Sequence, residues 1–186
     1  MTTIAHLVRP HLFASEQSYT LEPDALLVKI KGKTTSIPYS DIKSVRILTY
    51  ANFGGTHCQC TVKTHSHGKL VIRSHSYASL GDFEDRTGTY FPFVAELCRR
   101  VHEKNPQAQF ITGSGWIQTL WLVVLILSIG GWIIFALILL GGGADLQSSA
   151  TFVFFLIFIT SISFHWVRRN KPELFDPLNP PFVESN

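Results

Sequence analysis

Trp116 to Leu140 is a run of 25 residues without a single Asp, Glu, Lys, Arg or His. As a helix rising about 1.5 Å per residue it measures roughly 37 Å, longer than the hydrocarbon core of a bilayer at about 30 Å. Ala150 to Phe164 is a second uncharged run. Only 16% of the chain is charged, against about 25% in an ordinary globular protein, and these two runs hold the deficit. A single soluble domain is excluded, and so is a wholly disordered chain. Two buried core helices are the competing reading, and the length of the runs favours membrane spans.

The flanks predict how such spans are set. Trp116 and Trp121 lie near the start of the first, where indole rings favour the interface. Gly141, Gly142 and Gly143 stop it, since glycine costs a helix about 1 kcal/mol per residue. Asp145, Gln147, Ser148 and Ser149 read as a short polar connection. The second span runs to about Val167 and is rich in phenylalanine. Arg99, Arg100 and Lys104 precede the first span, and Arg168, Arg169 and Lys171 follow the second. The connection has neither Lys nor Arg. Cytoplasmic loops carry the excess of basic residues, so both termini are expected in the cytoplasm, in a multi-pass protein of the cell inner membrane. Neither span has an ionisable residue in its interior, which favours an anchor or packing surface over a conduit.

The first 115 residues suffice for a core of their own. They hold 13 Lys and Arg against 9 Asp and Glu, a net +4. That is too mild for a nucleic-acid binder and mild attraction for an anionic membrane. Three cysteines, an odd number, imply no disulfide framework and fit a reducing compartment. Met1 to Leu12 has no apolar stretch of signal-peptide length. Residues 18–76 alternate as short strands with turns at Gly32-Lys33 and Ser66-His67-Gly68. Lys69 to Ser76 reads as one strand, Ser79 to Thr89 as a polar loop, and Leu7 to Ala14 as a candidate first strand. A helix is expected over Tyr90 to Lys104, with Pro92 in its first turn and Val94, Leu97, Cys98 and Val101 on its apolar face. Asn105-Pro106 stops it, and Thr112 to Gly115 reads as a flexible link.

The step Ile37-Pro38-Tyr39-Ser40-Asp41-Ile42, the hairpin at Ser66 to Lys69 and the following helix resemble a bacterial pleckstrin-homology-like domain. The tail, Arg169-Asn170-Lys171-Pro172, Phe175-Asp176-Pro177 and Pro180-Pro181, is similar to bacterial membrane proteins that join such a domain to a two-span hairpin. The resemblance implies a seven-stranded antiparallel barrel capped by one C-terminal helix, and a binding module without catalytic residues. The expected class is therefore an α+β soluble domain followed by a two-helix transmembrane hairpin. Its parts are a cytoplasmic barrel domain over 1–110, a linker over 111–115, spans over 116–140 and 150–167, an external turn over 141–149, and a cytoplasmic proline-rich tail over 168–186. The tail lacks periodicity and has four prolines from Pro172 on. Free disorder is one reading of it; packing on the barrel or the membrane interface is the other.

Candidate sites are few. Lys29, Lys31 and Lys33 read as a row on one strand face, able to meet an anionic lipid headgroup or to be a plain solvated surface. Arg99, Arg100, Lys104, Arg168, Arg169 and Lys171 read as membrane-proximal charge. Cys58 and Cys60 lie among four histidines, His57, His65, His67 and His75. A Cys-x-Cys spacing is not that of a structural zinc pair, so core cysteines beside exposed histidines are expected, with no metal or other cofactor. Asp82, Glu84 and Asp85 read as solvated loop charge, and no catalytic sequence motif is present. The expected function is a non-enzymatic binding or scaffold module held at the bilayer, with a protein partner or a second copy of itself and no nucleic acid. The alternative is an accessory subunit of a larger membrane complex whose two spans make the specific contacts.

Overall fold

The computed structural model describes residues 4–52, 55–79, 82–141 and 146–181, with side chains except at 51, 52, 55, 56, 146–149 and Arg169. The chain is α+β, with a sheet-rich N-terminal region and two long apolar C-terminal helices. It divides into two units, one made of 1–112 and 173–186, the other of Gly113–Pro172.

In the first unit, strands β1 (Ile4–Val8), β2 (Gln17–Leu21), β3 (Ala25–Ile30) and β4 (Lys33–Pro38) form an antiparallel meander. Pro38 ends it, because proline lacks the ladder donor, and a 3₁₀ turn over Tyr39–Asp41 starts a new sheet. That sheet is ordered β11 (Glu173–Leu174), β10 (Gln109–Thr112), β5 (Ile42–Asn52), β6 (Gly55–Thr64), β7 (Lys69–Arg73). A third, small sheet pairs β8 (His75–Ser79) with β9 (Asp82–Asp85). Among the described residues the strands make three separate sheets and no closed barrel. β4 and β7 are each the last strand of their sheet, and the break at Ser74 turns the chain out of the larger sheet where one strand was expected.

Helix α1 (Thr87–Lys104) closes the core. Tyr90, Phe93, Val94, Leu97, Cys98 and Val101 recur at helical spacing and are buried in one cluster with residues of both larger sheets, including Tyr19, Leu26, Val45, Cys60 and Phe110. The helix begins three residues earlier than its sequence pattern indicates, so Pro92 lies inside it and not in the first turn. It therefore removes one interior hydrogen bond. Three further expectations shift. Of Leu7 to Ala14 only Leu7 and Val8 are strand, since β1 is Ile4–Val8 and residues 9–16 are loop. Part of the Ser79–Thr89 segment is strand β9. Thr112 is strand, because β10 runs parallel to β5.

The tail is drawn into the first unit. Glu173 and Leu174 pair with Thr112 and Ile111, and Phe175 N–H donates to the Phe110 carbonyl at 3.1 Å. The Phe175 ring meets Phe110 edge-on at 5.9 Å. Asp176 then fixes a turn by accepting the Leu178 N–H at 2.9 Å.

The second unit is a helical hairpin of α2 (Gly115–Leu140) and α3 (Leu146–Arg169). Both are long and apolar enough to cross a membrane, with mean hydropathies of 2.9 and 1.9, and only 11% of either span is buried. Gln147, Ser148 and Ser149 fall within α3 and not in the connection, in a first turn whose N–H groups lack intrahelical partners and suit polar residues. Polar side chains join the helices: Ser128 hydrogen-bonds Thr160, and Trp132 Nε1 donates to Thr160 Oγ1 at 3.2 Å. Trp121 stacks on Trp166 at 5.8 Å. The hairpin's two ends meet at Gly113, whose φ of 69° and approach to the Lys171 and Asn170 carbonyls leave no room for a Cβ. The expected turn residues Gly142, Gly143 and Asp145, the loop residue Gly54, Gly81 and the tail residue Phe182 lie outside the described residues.

Candidate binding cleft

The loop between β1 and β2, residues 9–16, is short, polar at its ends and apolar at its middle. Its backbone is pinned from three directions. Arg9 N–H donates to Ser76 Oγ at 3.0 Å, and Tyr77 N–H donates to the Arg9 carbonyl at 2.7 Å. The Arg9 side chain turns back onto its own loop, donating to the Ala14 and Leu12 carbonyls at 3.1 and 2.6 Å. From the sheet, Arg73 Nη1 donates to the Pro10 carbonyl at 2.8 Å. The Arg9 guanidinium also lies 6.0 Å from the centre of the Tyr77 ring, within cation–π range.

The pinned loop forms one wall of a cleft of about 520 Å³. Tyr50, Tyr77 and Phe83 supply aromatic walls, Leu12 and Phe13 form the lip, and Arg73 and His75 supply the polar groups. Phe13 is 89% exposed and lies beside Leu12, which is 40% exposed. A smaller neighbouring cleft of about 300 Å³ shares Pro10, His11 and Arg73 and is edged by Lys69. Arg73 thus stands at the wall common to both.

Behind the cleft is a ring cluster. His57 and His75 lie 4.4 Å apart, Phe83 meets His75 edge-on at 5.3 Å, and Tyr50 meets it at 6.4 Å. His57 and His75 are buried, contrary to the exposed histidines expected. The alternation that points His57 away from Cys58 is kept, but the β8–β9 hairpin with Phe83 covers that face too. Burial, with the His57 ring and the Arg73 charge adding to it, pulls the His75 imidazole down to about 4. His75 is therefore neutral at pH 7. His57 Nε2, His75 Nδ1 and Arg73 Nε are buried without hydrogen-bond partners.

Cys58, Cys60 and Cys98 are free and buried. Burial raises all three thiols, Cys98 to about 12, so none is a thiolate nucleophile at neutral pH. Among the described residues no group of three or more His, Cys, Asp or Glu side chains is placed to hold a metal ion. Asp85 accepts the Thr87 N–H at 3.0 Å and its hydroxyl at 2.7 Å at the start of α1, and Glu84 pairs with Arg86 at 2.7 Å.

The lysines do not form a row on one strand face. Lys29 is in β3, Lys31 and Gly32 make a two-residue turn with φ of 51° and 78°, and Lys33 opens β4. Positive φ at both central residues is the requirement of a type I′ hairpin. Lys29 is registered with Thr34 and Lys33 with Ile30, so the two lysines lie on opposite faces of the sheet. The basic residues of α1 are engaged with acids. Arg99 pairs with Glu96 and Glu103, Arg100 with Glu96 at 2.6 Å, and Lys104 with Asp24 at 2.6 Å. Arg100 also donates to the Glu22 carbonyl at 2.8 Å, so two of these residues tie α1 to the β2–β3 turn. Arg168 lies 5.6 Å from the Phe164 ring, Lys171 is exposed beyond α3, and the Arg169 side chain lies outside the described residues.

No family model and no curated protein matches the chain.

Proposed function

We propose that this protein is a membrane-anchored, non-enzymatic binding module. In this reading α2 and α3 cross the cell inner membrane as a hairpin, and both flanks, with the sheet unit, lie in the cytoplasm. The observation that carries it is the contrast in burial. The sheet unit encloses its own core, while the hairpin leaves large side chains such as Leu127, Ile134, Leu137 and Phe154 more than half exposed along its length. Water does not tolerate an apolar surface of that extent on a soluble protein. The order of meander, second sheet and closing helix supports an open variant of a pleckstrin-homology-like domain. A binding role is supported by the cleft, whose described lining residues include aromatic rings and one guanidinium but no Ser, Cys, Asp or Glu. The Lys29–Lys33 hairpin tip adds exposed positive charge that an anionic leaflet would attract.

Thiol labelling in intact cells tests the placement. A cysteine at Ala144 is expected to react with an impermeant maleimide from outside, and one at Lys69 only after the membrane is opened. The reverse pattern, or reaction of Ala144→Cys from the cytoplasmic side alone, overturns the orientation.

A further inference from the structure

The cleft under the β1–β2 loop has the size and chemistry of a small-molecule site. Such sites measure about 300–1,000 Å³ and combine apolar walls with a few polar groups, and this one is about 520 Å³. Its walls are rings, so the occupant has an apolar body. Among the described residues Arg73 is its only permanently charged lining residue, so the occupant carries one negative charge. His75 adds no second cation at neutral pH, being held neutral by burial. Among the described residues the lining holds neither a Lys nor a second Arg to balance the second charge of a phosphate dianion.

The state of the Arg73 guanidinium narrows the anion. Nη1 is committed to the Pro10 carbonyl, which fixes the plane of the group against the loop. A guanidinium held in this way at the wall of an apolar cleft suits a planar carboxylate, which it can take through two parallel hydrogen bonds. We infer that the cleft binds an amphiphilic monocarboxylate, its aryl or alkyl body among Tyr50, Tyr77 and Phe83 and its carboxylate on Arg73. This deepens the binding-module reading and rests on it. The pinning of the loop by Arg9, Ser76 and Arg73 preorganises the site, so little of the binding energy goes into ordering it.

The full chain in phosphatidylcholine nanodiscs is titrated calorimetrically with 2-naphthylacetate and with its neutral isostere 2-naphthylacetamide. The acid is expected to bind about ten- to a hundredfold more tightly than the amide, the usual scale of a charge-assisted pair. Laurate against lauramide, with empty discs as blanks, is the second arm. A larger acid preference there assigns the site to chains drawn from the bilayer, and a larger one for the aryl acid assigns it to soluble ligands. Arg73→Gln removes the preference. Phe83→Ala weakens acid and amide together and keeps it. Arg73→Lys retains a charge but loses the fork, keeps part of the preference, and serves if Arg73→Gln does not fold. Equal binding of acid and amide in both pairs, absence of binding, or a preference that survives in Arg73→Gln overturns the inference. Such a failure is separate from failure of the anchoring reading, which the labelling of Ala144→Cys decides.

Discussion

Helices α1 and α2 are built to opposite rules. On α1 the apolar side chains share one face and are fully buried, while Glu96, Arg99, Arg100 and Glu103 occupy the other and pair with one another. On α2 the apolar side chains point in all directions, and of its described residues only Ser128 is buried. A helix that is apolar all round is stable only where its surroundings are apolar too. The first helix is held by what it excludes from water; the second requires a setting without water. The same contrast explains their polar contacts. α1 uses ion pairs, which water screens, whereas α2 meets α3 through hydroxyl and indole hydrogen bonds that need no charge.

Leucine-to-aspartate changes break the comparison most sharply. Leu97 is 0% exposed, and Leu97→Asp places an unpaired carboxylate in the core of the sheet unit. The expected result is loss of that unit's protease resistance, a cost of several kcal/mol, with the protein still in the membrane. Leu127 is 69% exposed. In water Leu127→Asp would be harmless; in a bilayer an aspartate at a span's centre costs about 2.5–3.5 kcal/mol, so insertion is expected to fall. Membrane fractionation and limited proteolysis of the two variants together read both effects.

Acid acts on the sheet unit through two buried histidines. His75 has its folded value pulled below the free imidazole value of about 6.5, to about 4, so the unfolded chain binds more protons between those values. Its contribution to stability is full above about pH 6.5 and lost as pH falls toward 4. His6, lowered by burial despite its bond to the Arg73 carbonyl, acts in the same direction. Hydrogen exchange at pH 7 and pH 5 is expected to show loosening in β6, β7 and α1, and none in α2 or α3. His75→Gln reduces the difference.

Smaller effects follow from the polar contacts. Thr160→Val removes the group that joins Ser128 and Trp132, and interhelical hydrogen bonds in membranes average about 0.6 kcal/mol. Unfolding of the hairpin in detergent is expected to shift by about that much. Glu96→Ala is the mildest. Arg99 first, and then Arg100 against the opposing pull of desolvation, hold the Glu96 carboxyl down at about 2. Pairs this near the surface contribute at most about 1 kcal/mol. That contribution is present above the usual glutamate value and disappears as pH falls toward 2, which thermal unfolding at pH 7 and pH 3 measures.

Some of this was legible in the sequence for physical reasons. The apolar runs name both long helices because nothing but length and hydropathy is needed. The face Val94, Leu97, Cys98, Val101 identifies the packed side of α1 because the period of 3.6 is local. Sheet closure is not local. Whether β4 pairs onward depends on partners far along the chain, and short alternating strands with turns between them fit three open sheets as well as the barrel that the resemblance implies. The site was missed for a related reason. His57, Arg73, His75 and Phe83 come from four strands, and only the β8–β9 hairpin, hidden in a stretch that reads as polar loop, brings them under the β1–β2 loop. The available signal was the apolar pair Leu12-Phe13 between polar loop residues. Tail pairing with β10 likewise rests on Glu173 and Leu174 finding a strand sixty residues away in the sequence.

In a membrane-anchored protein the exposed apolar surface of α2 and α3 faces lipid. Spin labels at Leu127, Phe158 and Lys69 in the reconstituted full chain test it directly, by comparing collisions with oxygen, which concentrates in hydrocarbon, and with a water-soluble nickel chelate. The expected result is high oxygen and low nickel accessibility at Leu127 and Phe158, and the opposite at Lys69. Nickel accessibility at Leu127 and Phe158 equal to that at Lys69 would place the hairpin in water and contradict the claim.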